Sequence, residues 1–363
     1  RRLNMLREGR PHATGTIMRD AGLIEVLDRT AERMKWDEPF DRGTEKLRRG
    51  RGVGVGFKAL VAPTTSVAMI TLSADGSCFL HMSTVDMGQA SNTTMSMAAE
   101  VLGIDPQGIK VIRPDTDVTP YDMATLGSRS TFHMGHAVRL AAEDAVEKMK
   151  VLATQLGVPE GEPLEAGALL KKRYGMQAGN IVGVGSYIPE YISPNKETGH
   201  SENITPNWMI GGCGVEVEVD TETGQFRLVR MENVVDCGTA LNPKIVETQV
   251  SGAAIMQIGA ALYENMEFDE DGQLRNASFA EYKIPGITDL PEQMGNEAVD
   301  VYQNNGPFGA KGVGESGAFG VASAIAAAIE DAVGVRLTSM PMKYETLCRE
   351  LHANDPKFRQ WGE

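Results

Sequence analysis

Glu315 is the single carboxylate in the run Pro307-Phe308-Gly309-Ala310-Lys311-Gly312-Val313-Gly314-Glu315-Ser316-Gly317-Ala318-Phe319-Gly320. A carboxylate in so glycine-rich a turn suits a buried general base. Gly312, Gly314 and Gly317 can take backbone angles closed to other residues, and they let a ligand approach the main chain closely. The apolar positions that follow (Ala318, Ala322, Ile325, Ala326, Ile329) predict a helix opening from the turn. Its free N–H groups and positive dipole end would then point back at Glu315. An ionised Glu in hydrogen-bond reach can take a proton from a bound hydroxyl or water.

The same stretch spells G-x-G-x-x-G, so two other readings stand beside the base: a dinucleotide-binding turn and a purely structural one. The dinucleotide fingerprint expects a βαβ unit with an acid about 20 residues on to hold the ribose. Here Gly334-Val335-Arg336-Leu337-Thr338-Ser339-Met340-Pro341 follows, without such an acid.

The 363 residues suffice for two or three units with proper cores. A net charge of −14 argues against nucleic acid or an anionic membrane as partner. No apolar run is read as approaching the roughly 20 residues of a membrane span. Cys78, Cys213, Cys237 and Cys348 form no C-x-x-C, so this chain alone builds neither an iron–sulfur cluster nor a zinc knuckle. Reduced thiols in a cytoplasmic protein are the simplest expectation. Arg1-Arg2 is followed by no apolar export segment. The start at Arg1, without Met, suggests a piece of a longer polypeptide.

The expected fold class is α+β, with two related strand–hairpin–helix units forming one side of a cleft. Residues 1–50 read as a helical linker, with an amphipathic helix over 20–35 and a charged connection over 37–51. The first unit, 51–157, has strands at Gly52–Phe57, Val67–Leu72 and Cys78–Ser83, a turn at 73–77, and helices over 93–102 and 136–156. Residues 158–210 are turn-rich and polar, as a crossing would be. The second unit, 211–351, has strands at Gly214–Val219 and Phe226–Val235 and a helix over Pro243–Leu262; 352–363 is a tail. Asp86-x-Gly88 and Asp236-x-Gly238 each follow a hairpin. This fits an internal duplication, or the common likeness of strand–turn–helix units.

Six segments in order carry a resemblance: Asp86-Met87-Gly88-Gln89, Thr125-Leu126-Gly127-Ser128-Arg129-Ser130-Thr131, Asp236-Cys237-Gly238 with Leu241-Asn242-Pro243, Gln249-Val250-Ser251-Gly252-Ala253, Tyr282-Lys283-Ile284-Pro285, and Lys311-Gly312-Val313-Gly314-Glu315. With them the chain resembles the C-terminal part of the molybdopterin-binding region of the xanthine dehydrogenase/aldehyde oxidase family of molybdenum hydroxylases. The resemblance implies that Glu315 is the catalytic glutamate, taking a proton from a molybdenum-bound hydroxyl as it attacks an electron-poor carbon. It implies cofactor contacts for Gly88, Gln89, Gly127, Ser128, Ser130, Gln249, Gln257, Gly312, Val313 and Gly314, with the metal held through molybdopterin and Gln89, Gly127 and Glu315 nearby. Arg129 suits either a cofactor phosphate or a solvated or structural role, and Lys311 a cofactor contact or a structural or solvated role. The alternative for Gln89 is a helix-start amide that bonds its own turn. Gln249 and Gln257, eight apart on one helix face, are buried amides that a cofactor would satisfy. Met69, Met82, Met95, Met97 and Met256 read as core filling.

The resemblance also implies what lies outside the chain. The family's molybdenum region has an earlier half, and electrons leave through [2Fe-2S] and FAD groups. The expected partners are therefore a complementary molybdopterin-binding half, an iron–sulfur subunit and an FAD subunit. The cofactor is molybdenum–molybdopterin, plain or in the cytosine dinucleotide form. The expected substrate is an aromatic N-heterocycle or an aldehyde, with Phe57, Lys58 and Phe308 as pocket-side candidates. A nucleotide (NAD)-binding oxidoreductase and a non-catalytic structural subunit of a molybdoenzyme remain as alternatives.

Overall fold

The computed structural model describes residues 1–60, 63–89, 92–175 and 179–354. Helix α1 (Leu23–Arg33) buries Leu23, Val26, Leu27 and Thr30 along one stripe. Strand β1 (Leu47–Ala59) starts well before the expected linker ends. Its charges are not those of a free linker: Arg49 lies opposite Glu218 in the ladder and bonds it at 3.0 Å. Arg51 stacks over Trp36 and Phe40. Strands β2 (Ser66–Ser73) and β3 (Cys78–Met82) form the expected hairpin. Helix α2 (Asn92–Leu102) leads to β4 (Ile109–Ile112), and α3 (Gly135–Gln155) follows a π-helical turn over Ser130–Met134.

The segment 158–210 is more ordered than its polarity suggested. It holds α4 (Ala166–Tyr174) and β5 (Asn180–Tyr187), and strand β6 (Trp208–Asp220) begins inside it. Strand β5 is edge-like in sequence, because Gly183 and Gly185 break its apolar alternation. A Cβ on either would run into backbone of α3 near Ala137, Ala141 and Ala145, so these glycines mark close helix–strand packing rather than a loop. Strand β7 (Phe226–Asp236), α5 (Pro243–Leu262), β8 (Gln293–Val299), α6 (Val321–Val333) and α7 (Tyr344–Leu351) complete the chain.

The strands make two four-stranded sheets, ordered β1-β6-β7-β8 and β4-β3-β2-β5. In each, a central antiparallel hairpin gains an antiparallel strand on one side and a parallel strand on the other. The mixed α/β architecture thus departs from the expected partition. β1, assigned to the first unit, pairs with β6 of the second, and β5, assigned to the crossing, completes the first sheet. One core lies between the β2 sheet and α2–α3, around Ile70, Leu80, Val138 and Ala141. Another lies between the β6 sheet and α5–α6, around Val215, Met231, Ile258 and Ile325.

Helix α5 and the stretch Ser316–Val333 are, by length and composition, apolar enough to cross a membrane, which corrects the sequence reading of no such run. In the fold they are packing helices: α6 lies across β1 and β6, with α5 beside it.

Candidate functional site

Loops from both sheets enclose a cleft of about 920 Å³. Glu315 stands on its wall with 42% of its side chain exposed. The helix expected to open directly behind it does not. Glu315 precedes a single 3-10 turn, Ser316–Ala318, and α6 starts only at Val321 after Gly320 at φ +82. A Cβ at Gly320 would collide with the Gly54 backbone, so a close crossing of β1 decides where the helix begins. The positive charge at Glu315 comes instead from Lys58, whose Nζ donates to both carboxylate oxygens at 2.7 Å. Ser128 Oγ accepts the Glu315 N–H at 3.0 Å and donates to Oε2 at 3.2 Å. Ser128 reaches both atoms from a left-handed conformation, φ +60, which costs about 1–3 kcal/mol and persists only where its surroundings impose it.

Two buried ion pairs fix the loops that form this wall. Lys311 turns its ammonium away from the cleft. It bonds Asp236 Oδ2 at 2.6 Å and the Asp20 carbonyl, with both side chains of the ion pair fully buried. Asp236 also accepts from the N–H groups of Gly22 and Gly238. Burial pushes the Asp236 carboxyl above the usual range, and the Lys311 ammonium and these N–H groups pull against it. The pair staples the Asp236-Cys237-Gly238 turn to the loop carrying Glu315, helped by the Lys311 N–H to Cys237 carbonyl bond at 2.8 Å. Arg129, of the two roles left open, takes the structural one. It is buried, pairs with Asp122 at 2.6 Å, and donates to the carbonyls of Ala124 and Thr65 and to Ser66 Oγ. Both cations are thus paired with buried carboxylates in the structure.

The other expected residues divide. Gly127, Ser128, Ser130, Gln249, Gln257, Gly312, Val313 and Gly314 line the cleft. Gln89 lines it too, but its amide closes its own turn, accepting from Met87 N–H and donating to the Val85 carbonyl. Gly88 is not on the wall; its φ of +103 makes the turn that Met87 and Gln89 flank. Met256, expected in the core, is 73% exposed and borders the cleft with Met87. Phe57 borders it, but its ring packs edge-on against His12 and Trp208. Phe308 packs against the first core instead. Cys237 lines the cleft, yet burial pushes its thiol up to about 12, so it is no nucleophile at neutral pH. The dinucleotide alternative lacks its frame: β8 ends at Val299, well before Gly312, and among the described residues no strand follows α6.

This wall fits a large polar cofactor. Among the described residues no three His, Cys, Asp or Glu side chains converge to hold a metal. The half-buried amides of Gln249 and Gln257 have no hydrogen-bond partner among the described residues, and Gln249 Nε2 faces Gly314. A Cβ at Gly312 would run into the Ser128 carbonyl, whereas one at Gly314 meets nothing closer than Ser128 Oγ at 3.2 Å. Gly312→Ala is therefore expected to destabilise the assembled protein by about 1–3 kcal/mol through overpacking and to lower cofactor retention. Gly314→Ala should do much less to the thermal midpoint. Equal midpoints for the two variants would contradict the close approach of the two loops.

The sequence profile described as the molybdopterin cofactor-binding domain matches residues 25–291. The chain is 32% identical over 355 residues to the probable hypoxanthine oxidase of Escherichia coli K12, covering 92% of this chain and 36% of that protein. It is 30% identical over 345 residues to the 6-hydroxypseudooxynicotine dehydrogenase complex subunit gamma of Paenarthrobacter nicotinovorans, covering 90% and 43%. The aldehyde oxidoreductase from Desulfovibrio desulfuricans superimposes with a TM-score of 0.83 at 28% identity, over 96% of this chain and 37% of that one. The chain thus spans between a third and a half of the length of these relatives.

Proposed function

The chain belongs to the molybdopterin-binding subunits of the xanthine dehydrogenase family, and from that premise we propose that it forms the catalytic-base side of a molybdenum hydroxylase. The reaction is oxidation of an electron-poor carbon of an N-heterocycle or aldehyde with water-derived oxygen. The observation that carries this is the placement of Glu315 on the wall of a large cleft whose other sides are mostly apolar, with the amides of Gln249 and Gln257, the hydroxyls of Ser128 and Ser130 and glycine main chain set among them.

When bound, the cofactor, plain or as its cytosine dinucleotide, supplies the two-electron acceptor and the oxygen to be transferred. The chain's own groups hold and serve it. Gln249 and Gln257 would bond its donors and acceptors without adding charge, and the Gly312–Gly314 main chain would pack against it. Glu315 would take the proton, with Ser128 fixing the carboxylate's orientation. The complementary molybdopterin-binding half, an iron–sulfur subunit and an FAD subunit would complete a cytoplasmic complex; the names of relatives that are themselves subunits support such an assembly.

Metal analysis of the native complex purified through this chain tests the proposal. About one molybdenum per chain is expected, with iron–sulfur and flavin subunits present. A complex containing all its partners and no molybdenum would return the glycine turn to a structural role.

A further inference from the structure

Lys58 sits where a general base would be expected to stand alone. Its ammonium bonds both oxygens of Glu315, while 39% of its side chain remains exposed. An ammonium carries three donors, and among the described residues Glu315 takes two. The other cations near this wall are committed elsewhere: Lys311 to Asp236 and Asp20, Arg129 to Asp122. Lys58 is thus the cation that, among the described residues, can answer a negative charge beside Glu315.

Its position is fixed by the backbone. Gly50, Gly52, Gly54 and Gly56 put one face of β1 against α6 and Phe319, and Lys58 is the next residue on that face. The strand ends one residue later, at Ala59; Lys58 is not itself among the residues lining the cleft and meets it through Glu315, which is. Without Lys58, an anionic substrate entering this end of the cleft would meet the bare carboxylate of Glu315 and be repelled. With it, one ammonium lies between two anions, as a charge-assisted bridge. A neutral substrate would gain little from the third donor.

Resting on the hydroxylase reading above, we infer that Lys58 is a specificity-determining residue that selects substrates bearing an anionic oxygen near the oxidised carbon. The oxygen is either a ring-borne carboxylate or an ionised ring oxygen. The residue bridges that oxygen and Glu315 while the base acts.

The test is equilibrium binding by calorimetry to the assembled, dithionite-reduced complex, which cannot turn substrate over. The carboxylate arm compares pyridine-3-carboxylate with pyridine-3-carboxamide. The ring-oxygen arm compares urate, an anion at neutral pH, with hypoxanthine. Wild type should prefer the anion in at least one arm, which identifies the source of the charge. Lys58→Met should weaken that anion by about 10- to 100-fold and leave its neutral match nearly unchanged, and Lys58→Arg should retain most of the anion's affinity. No preference for either anion in the wild type, or equal losses of anion and neutral ligand in Lys58→Met, overturns the inference. Molybdenum content of the same samples reports separately on the hydroxylase reading, so the two can fail independently.

Discussion

Glu315→Gln is expected to lower kcat/KM of the assembled complex by about 10²- to 10⁴-fold, the usual contribution of a positioned general base, while molybdenum content and thermal midpoint stay near wild type. The substitution keeps the shape of the side chain and an oxygen for Lys58 and Ser128 to donate to, and removes only the capacity to take the proton. Little stability should be lost. Lys58 and Glu315 are both more than a third exposed, and ion pairs of that kind contribute about 0–1 kcal/mol. A structural turn would give the opposite pattern, with activity within a few fold of wild type. So would the non-catalytic subunit, whose base would have to come from another chain. Loss of molybdenum together with activity would place Glu315 in cofactor retention instead, which metal analysis of the variant detects.

Why Lys58 escaped assignment as the partner of Glu315 is instructive, because its signal is in the sequence. The two residues are 257 positions apart, and no local pattern links them. Yet Gly50, Gly52, Gly54, Gly56 and Lys58 alternate, and period two puts them on one face of a strand. Gly50 and Gly52 meet Ala328, Gly54 meets Gly320 and Gly56 meets Phe319. Each two-residue step along β1 therefore moves back along the chain towards Glu315. The alternation reveals a helix-facing edge; which helix it faces depends on β1 pairing with β6, a long-range choice that neither strand's composition encodes. α5, by contrast, was legible to the residue, because Asn242 and Pro243 mark its start and apolar residues dominate its length to Leu262. The charges of Arg129 and Lys311 were the least legible. A buried cation and a phosphate-binding one are the same residue type in the same glycine-rich context. Only the placement of Asp122 and Asp236, seven and 75 residues away, separates the two roles.

The Asp236–Lys311 pair should be the more costly staple to break, and breaking it from its two ends should give different pH dependences. Removing one member of a buried pair costs about 3–5 kcal/mol, because the other charge is left without its partner. Asp236→Asn strands an ammonium that is fully buried; an amide can accept one bond but cannot neutralise it. Lys311→Met strands a carboxyl that burial already pushes upward, and this group has an escape by taking up a proton. With its folded-state pKa raised further above the unfolded value, the carboxyl's contribution is retained below the unfolded pKa and lost as pH rises through the folded one. Chemical denaturation of the assembled protein should therefore show Lys311→Met recovering towards wild type as pH falls from 8 to about 5. Asp236→Asn, having lost the titrating group, should show no such recovery. A pH-independent deficit in Lys311→Met would mean that the carboxyl stays ionised on its Gly22 and Gly238 N–H bonds alone. Because the same pair anchors the Cys237–Lys311 bond behind the Glu315 loop, both variants should also lose cofactor, in proportion to the stability each loses. The Glu315 loop is thus held by a charge pair that never enters the cleft, and removing Lys311, which leaves the titrating Asp236 carboxyl without its partner, should make the position of that loop more sensitive to pH.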